Sequence, residues 1–271
     1  MEERNDKAKS PIGFFDSGVG GLSVFRAVAN LLPFENTLYL ADTANCPYGP
    51  RPAGEIAELS RRCVERLLGE GCKLIVVACN TATAAAIDLL RTMWPDVPFV
   101  GMEPAVKPAA LHSRSGVVGV LATSGTFHGR LYRETCRRFA SGTNVLMSVA
   151  DDFVRLVESG DLDSPAAREA VRRRVEPLLA AGADHLVLGC THFPFLAPLI
   201  EEVSAGRAVV IDPSPAVARQ TKRLLEARGL LNPSRLPPSR RFLSTGPSAV
   251  LDAMVSRQQK RLDGHLRSRV D

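Results

Sequence analysis

The segment KLIVVACNTATAAAIDLL at residues 73–90 contains the continuous apolar run Leu74–Ala78, which is followed by a cysteine and then by an Ala-rich helical pattern. The segment ADHLVLGCTHFPFLAPLI at residues 183–200 has the same arrangement, again with a cysteine directly after the apolar run. Short apolar runs that lead into helical segments are typical of buried parallel strands in α/β proteins. The two segments therefore predict one such strand–helix unit in each half of the chain.

The same alternation extends over most of the sequence. Apolar runs predict strands at Ile12–Phe15, Thr37–Ala41, Leu74–Ala78, Phe99–Gly101, Val117–Leu121, Val145–Val149, His185–Leu188 and Val209–Ile211. Amphipathic patterns predict helices at Glu55–Leu68, Thr81–Met93, Leu131–Phe139, Pro165–Leu179 and Pro213–Arg228. The predicted fold class is α/β, with two pseudo-symmetric lobes that each contain a mostly parallel sheet flanked by helices.

A weak internal repeat supports the two lobes. Polar or thiol side chains follow three apolar runs in each half, with successive spacings of 26 and 37 residues in the first half and 28 and 39 in the second. These residues are Asp16, Asp42 and Cys79, then Thr123, Asp151 and Cys190. Ligands of open α/β sheets bind at the carboxyl ends of the strands. We therefore expect an active site in the cleft between the lobes, with Cys79 and Cys190 facing each other.

Composition excludes several classes of protein. The chain has 271 residues, 34 Lys and Arg against 29 Asp and Glu, and a pI near 9.0. Its basic residues are scattered, only three Tyr and one Trp are available for base stacking, and no nucleic-acid-binding motif is present, which disfavours a nucleic-acid partner. No apolar run is long enough to span a membrane, and the first ten residues lack the apolar core of a signal peptide. We expect a cytoplasmic protein with no membrane partner.

The placement of the two strand-end cysteines indicates reactive thiols. Each cysteine follows a buried strand and begins a helical or hydrogen-bonding segment, Cys79-Asn80-Thr81 or Cys190-Thr191-His192. The N–H groups of a helix N-terminus lower the pKa of a thiol, whereas burial raises it. We expect the helix N-termini to increase the thiolate fraction, and His192 to polarise the second thiol.

Other polar residues at predicted strand ends suggest how a substrate is held. The turn Phe15-Asp16-Ser17-Gly18-Val19-Gly20-Gly21 lacks both phosphate-loop spacings, and a carboxylate there would repel phosphate. We expect Asp16 and Ser17 to enter the site directly, with Asp16 orienting a substrate ammonium group or tuning a thiol. Donors at helix N-termini suit the carboxylates of a small amino acid or dicarboxylate. These donors are Asn80, Thr81, Thr123, Thr126 and Thr191.

Two thiols on opposite sides of a cleft favour proton transfer at carbon. Removal of a proton from one face and delivery of another to the opposite face requires two bases, and a thiolate and a thiol supply them. A cysteine hydrolase would leave the second thiol unexplained, and a redox pair usually occupies a C-x-x-C motif, which is absent. Zinc is disfavoured because Cys46, Cys79, Cys190 and His192 lack ligand spacing, so no metal is expected.

Several blocks of this sequence resemble the signature motifs of the bacterial glutamate racemases, in the same order, from Pro11 to about Leu230. The blocks are Phe15–Leu22, Ala41–Ala44 with Pro47–Gly49, Cys79–Ala82, Ala122-Thr123 with Gly125-Thr126, and Gly189–His192. The resemblance implies a cofactor-independent racemase that makes D-glutamate for peptidoglycan and is commonly a homodimer. The sequence departs from the family pattern at Asn45-Cys46, Asp151-Asp152 and Phe193.

The resemblance also implies roles for individual residues. Cys79 and Cys190 would be the two catalytic bases, with Asp16 and His192 as their respective helpers. Glu158 would be a further acid on the His192 side. The substrate would be held by Asp16, Ser17, Tyr48, Gly49, Asn80, Thr81, Thr123, Thr126, Thr191 and His192.

The resemblance further implies that the first lobe is discontinuous. Its expected bounds are residues 11–101 plus 212–271, with residues 102–211 forming the second lobe and residues 1–10 forming a flexible tail. Two alternative functions remain open. One is racemisation of aspartate or another acidic amino acid, and the other is a binding protein of the same fold with little turnover, for which the basic tail from Arg257 to Arg269 is the motive.

Overall fold

The computed structural model describes residues 2–257, with side chains from residue 6 onward. Within this range the strands form two all-parallel sheets. The first sheet has the order β4-β3-β1-β2-β9, and the second has the order β6-β5-β7-β8. The strands are β1 Ile12–Asp16, β2 Thr37–Ala41, β3 Leu74–Val77, β4 Phe99–Val100, β5 Val117–Ala122, β6 Asn144–Val149, β7 His185–Gly189, β8 Val209–Ile211 and β9 Arg240–Ser244.

Helices flank both sheets and connect their parallel strands. They are α1 Glu2–Lys9, α2 Leu22–Leu31, α3 Ala53–Gly69, α4 Asn80–Met93, α5 Val106–His112, α6 Ser124–Phe127, α7 Arg130–Phe139, α8 Asp151–Glu158, α9 Pro165–Ala180, α10 Ala197–Ser204 and α11 Ser214–Arg228. Short 3-10 helices occupy Thr43–Asn45 and Phe193–Phe195, and residues 249–257 are also helical.

The predicted fold class is confirmed. All the strands predicted from apolar runs are present, with ends that agree within one residue. Strands β1, β3 and β7 are buried along their whole length, as expected for central strands that are covered on both faces. One apolar core cluster extends from Phe14 in the first sheet to Leu186 in the second, so the lobes share packed side chains.

Residues 2–9, for which a flexible tail is expected, form helix α1. The end of this helix is held by a buried cation, because Lys73 Nζ donates to the carbonyl of Ala8 and to the Glu35 carboxylate. Ala8 itself is buried. Sequence periodicity did not reveal this contact because it joins residues that are far apart in the chain.

The sheets also show how the chain passes between the lobes. Strand β8 pairs with β7 in the second sheet, whereas the later strand β9 returns to pair with β2 in the first. We propose lobe boundaries near residues 101 and 212 on this basis. No helix within residues 2–257 has the length and apolar character to cross a membrane. Apart from Arg257, the basic tail lies outside the described residues.

Candidate active site

A cavity of about 200 Å³ lies where loops from the two sheets meet. It is smaller than the roughly 300–1,000 Å³ usual for drug-sized ligands. Ten of the residues singled out from the sequence line it: Ser17, Tyr48, Gly49, Cys79, Asn80, Thr81, Thr123, Cys190, Thr191 and His192. The carboxyl ends of both parallel sheets therefore contribute to one cavity.

Cys79 lies at the end of β3 and caps α4. Its Sγ accepts a hydrogen bond from the backbone N–H of Ala82 at 3.4 Å, and its thiol is 4.0 Å from the Ser17 hydroxyl. The thiol is thus placed at a helix N-terminus, as the sequence predicted.

The expected electrostatic effect at Cys79 is wrong. Burial raises the pKa of the Cys79 thiol well above its ordinary value, and the nearby Asp16 charge raises it further. The Ala82 and Ser17 N–H groups lower the pKa, but by less. Desolvation within the closed cleft therefore outweighs the helix N-terminus. The resting thiol is the protonated form.

Cys190 follows β7 and is coupled to a histidine and a carboxylate. The Cys190 Sγ lies 3.6 Å from Nδ1 of His192, and Nε2 of the same ring lies 2.6 Å from Glu158 Oε1. The backbone N–H of Val19 donates to that same oxygen at 2.8 Å. Glu158, expected only from the family resemblance, thus contacts the His192 ring on the side opposite the thiol.

His192 and Glu158 form a pair of opposite charges. Burial disfavours the imidazolium form, but hydrogen bonds and charge interactions with Cys190 and Glu158 together raise the His192 pKa well above its ordinary value. Burial likewise opposes ionisation of Glu158, yet hydrogen bonding and charge interaction with His192 lower its pKa. The pair is therefore ionised, as imidazolium and carboxylate.

The glycine-rich turn after β1 lets the backbone pass under this pair. A Cβ on Gly18 would lie 2.0 Å from Glu158 Oε1, and one on Gly20 would lie 2.4 Å from His192 Nδ1. Neither position has room for a side chain without displacing the ion pair. The glycines at positions 18 and 20 therefore permit the close backbone passage that this arrangement requires.

Asp16 joins the first lobe to the second. Its fully buried carboxylate accepts hydrogen bonds from the Gly18 N–H at 2.8 Å and from the Thr191 hydroxyl at 3.0 Å. Burial raises the pKa of Asp16 above its ordinary value, and the His192 charge and these hydrogen bonds offset only part of that rise. Asp16 lies behind the cavity wall rather than on it, as do Thr126 and Glu158.

Hydroxyl groups form a chain across the cleft. The Thr81 Oγ1 is 2.9 Å from Thr123 Oγ1, which is 3.0 Å from Thr126 Oγ1. Beside them, the buried Asn80 side chain lines the cavity, and neither its nitrogen nor its oxygen has a hydrogen-bond partner among the described residues. Buried amides almost always have partners, so this group is available to a ligand.

The loop after β2 forms another wall. Buried Tyr48 donates its hydroxyl hydrogen to Asp42 at 2.6 Å, and the Cys46–Pro47 peptide that precedes it is cis. The carbonyl of Gly49 accepts from the Ser124 hydroxyl of the second lobe at 3.2 Å. Cys46 is not a lining residue; its Sγ lies next to Gly18, beside Glu158.

Sequence reasoning assigned no role in the site to five lining residues: Pro47, Pro50, Asp151, Val154 and Arg155. The last three lie on α8, where Asp151 and Arg155 are one helical turn apart. Asp151 had been noted only as a strand-end residue of the repeat. Among residues 6–257, no group of three or more His, Cys, Asp or Glu side chains is arranged to hold a metal ion.

Comparison with known proteins agrees with this architecture. The model of the family described as Asp/Glu/Hydantoin racemase matches residues 12–221. A glutamate racemase from Herpetosiphon aurantiacus is 50% identical over 239 residues, which are 88% of this chain and 94% of that protein.

Solved structures give the same result. A glutamate racemase isoform from Bacillus anthracis superposes with a TM-score of 0.84 at 30% identity, covering 93% of this chain and 94% of that one. The Escherichia coli glutamate racemase, solved with L-glutamate and the activator UDP-MurNAc-Ala, superposes with a TM-score of 0.81 at 33% identity, covering 92% and 95%. The relatives named above are glutamate racemases, and the chain therefore belongs to the Asp/Glu/Hydantoin racemase family.

Proposed function

We propose that this protein interconverts L-glutamate and D-glutamate without a cofactor, using Cys79 and Cys190 as two bases. The observation that carries the proposal is that thiols from corresponding strand ends of two sheets line one cavity. Inversion at an α-carbon requires one group to remove the proton and another to deliver a proton to the opposite face. A pair of thiols on different lobes meets that requirement.

Protons and charge balance in such a reaction. One cysteine thiolate takes the α-proton and becomes a thiol, and the electron pair left on carbon is delocalised into the α-carboxylate. The other thiol then gives its proton to the opposite face and becomes the thiolate. The reverse direction exchanges the roles, so no oxidant or reductant is consumed.

The surroundings of the two thiols suit complementary starting states. The raised pKa of Cys79 keeps it protonated, which is the form that donates. The His192 imidazolium is close enough to Cys190 to donate a hydrogen bond to that thiolate, with Glu158 stabilising the imidazolium. In this proposal Asp16 assists on the Cys79 side, where its charge raises the basicity of that thiol.

Uncharged donors are proposed to hold the amino acid between the thiols. The unpartnered amide of Asn80 is suited to the α-carboxylate, which must accept charge as the proton leaves. The groups proposed to position the rest of the substrate are Ser17, Tyr48, Gly49, Thr81, Thr123 and Thr191, and Thr126 is proposed to support Thr123 from behind the wall.

Deuterium exchange tests the proposal directly. The purified protein is incubated with L-glutamate in D₂O containing EDTA, with no added cofactor. Circular dichroism follows the loss of optical activity, and proton NMR follows the loss of the α-proton signal. We expect both signals to disappear. No change with glutamate but change with aspartate would correct the substrate, and no change with any acidic amino acid would favour a binding protein.

We further propose that the protein supplies D-glutamate for peptidoglycan in the cytoplasm and acts as a homodimer. This rests on the resemblance to the glutamate racemases, whose names the relatives carry. Rescue of a bacterial strain that requires D-glutamate tests the physiological role, with the Cys79→Ser variant as control. Sedimentation of the purified protein tests the dimer, and a monomer at micromolar concentration would contradict it.

A further inference from the structure

Arg155 places a positive charge at the active-site cavity that no motif in the sequence indicated. It lies in the last turn of α8 and lines the cavity together with Asp151 and Val154. Its side chain is exposed, whereas Cys79, Cys190 and His192 are buried. The guanidinium group therefore belongs to the mouth of the cavity, and the thiols belong to its inner wall.

The Arg155 guanidinium has no partner in the part of the chain that the structure describes. It makes neither a hydrogen bond nor an ion pair there, unlike Arg174 nearby, which pairs with Asp152. Asp151 lies on the same helix face, but its carboxylate accepts instead from the backbone N–H of Ser124 at 3.2 Å. No other Lys or Arg of the described chain lines the cavity. An unpaired cation is thus available to a ligand at the mouth.

Apart from Arg155, the charged groups at the site do not favour a second carboxylate, because the His192 imidazolium is already paired with Glu158. Asp151 lies on the wall, and the ionised Glu158 lies behind it. Uncharged donors such as Asn80 and Thr81 lie next to the thiols, where the reacting α-carbon and its carboxylate must be. The side chain of the substrate then extends toward the mouth, where it needs a positive partner.

We propose that Arg155 binds the side-chain carboxylate of the substrate and so gives the enzyme its preference for acidic over neutral amino acids. This inference rests on the proposed function and adds a specificity-determining residue to it. A guanidinium group is always charged and presents paired N–H donors that match the two oxygens of a carboxylate. A neutral side chain of the same length would gain little from it.

Equilibrium binding measures this preference without depending on turnover. Calorimetry with DL-glutamate and DL-glutamine compares a carboxylate with an amide of nearly the same size, and racemic ligands are unchanged by racemisation. We expect Arg155→Met to weaken glutamate binding about tenfold and glutamine binding less than twofold. Arg155→Lys, which keeps the charge, should retain glutamate affinity within about threefold of the wild type.

Arg91→Met is a matched control. Arg91 is also exposed, also lies in the last turn of a helix, and also makes no hydrogen bond or ion pair with the described residues, but it does not line the cavity. Its loss changes net charge and the helix C-terminus in the same way. We expect Arg91→Met to leave both affinities unchanged.

Kinetics provides a second readout. With L-glutamate, Arg155→Met should raise KM about tenfold and leave kcat within twofold, because the guanidinium does not contact the reacting carbon. The effect on kcat/KM should shrink as salt is added, since screening weakens the wild-type interaction. A fall in kcat with unchanged KM would overturn the inference.

The outcomes separate this inference from the proposed function. If the wild type fails to racemise glutamate, the function is wrong, but the ratio of glutamate to glutamine affinities still tests Arg155. If the wild type racemises glutamate and Arg155→Met leaves that ratio unchanged, the function stands and the inference is overturned. Equal weakening of both ligands would indicate a general disturbance of the cavity and would also overturn it.

Discussion

The Cys79 half and the Cys190 half of the site differ, although the two cysteines occupy corresponding strand ends. Around Cys79, burial and the Asp16 charge both favour the protonated thiol. Around Cys190, an imidazole lies 3.6 Å away and is itself held by the Glu158 carboxylate. The symmetry of the fold therefore places the thiols, while side chains from the loops give each one a different way to keep or exchange a proton.

Substitution of either cysteine should have the largest effect on kcat, because the corresponding half of the site then loses its base. Cys79→Ser and Cys190→Ser should each lower kcat by about 10³-fold or more, because a serine hydroxyl ionises far less readily than a thiol. Loss of optical activity of L-glutamate and of D-glutamate measures the effect. Cys136→Ser, a half-buried cysteine of α7 outside the cavity, is the control. Activity above a tenth of wild type in either variant would exclude the two-base mechanism.

Removal of the His192 imidazole should have the next largest effect on kcat, and this effect should be confined to the Cys190 half. His192→Asn keeps a polar group near Cys190 but cannot carry a positive charge or exchange a proton, so we expect kcat to fall about 10²-fold. The alkylation rates of the two thiols, read by mass spectrometry, should change at Cys190 and not at Cys79. His112→Asn, at an exposed position of α5, serves as the control. A change at both cysteines would show that the halves are coupled.

Glu158→Gln should have a smaller effect, of about tenfold on kcat, because Glu158 acts through His192. The opposite pKa shifts of Glu158 and His192 also predict that the free energy of unfolding depends on pH. Because its pKa is lowered, the Glu158 carboxylate stabilises the fold above about pH 4.5. This stabilisation is lost as the pH falls through the pKa of Glu158 in the folded state. Because its pKa is raised, the His192 imidazolium stabilises the fold below about pH 6.5. This stabilisation is lost as the pH rises through the pKa of His192 in the folded state.

The pair should therefore contribute fully between about pH 4.5 and 6.5. Urea unfolding should show the largest stability loss for Glu158→Gln near pH 5.5 and a smaller loss at alkaline pH. Glu202→Gln removes an exposed carboxylate that pairs with Arg168, and surface pairs of this kind contribute only about 0–1 kcal/mol. A pH-independent loss in Glu158→Gln would mean that the pair is not ionised.

The same contrast explains what sequence alone could predict. Apolar runs such as Leu74–Val77 and His185–Gly189 are local signals, so strand positions and the two strand-end thiols were predictable. The protonation state of Cys79 was not predictable, because it depends on how deeply the second lobe buries the thiol. Helix position suggested a lowered pKa, and tertiary burial reversed it.

Contacts between residues that are distant in the chain were the other limit. Glu158 and His192 are separated by 34 positions in the chain, and only the family resemblance suggested that they meet. Arg155 carried no motif, and its spacing from Asp151 indicates a shared helix face but not the cavity that the face meets. Helix α1 was missed because its anchor, Lys73, is distant in sequence.

The smallest expected effect comes from the hydroxyl chain that joins the halves. Thr123→Val keeps the shape of the side chain but removes the hydroxyl between Thr81 and Thr126. Leaving buried hydroxyls without this partner costs about 1–3 kcal/mol, so Tm should fall by a few degrees. KM should rise about threefold, because the chain holds the cleft walls rather than exchanging protons with substrate. Thr92→Val removes an exposed hydroxyl of α4 and should change neither quantity. If kcat fell as far in Thr123→Val as in His192→Asn, the hydroxyl chain would itself carry protons, and the two halves would be connected by more than their shared substrate.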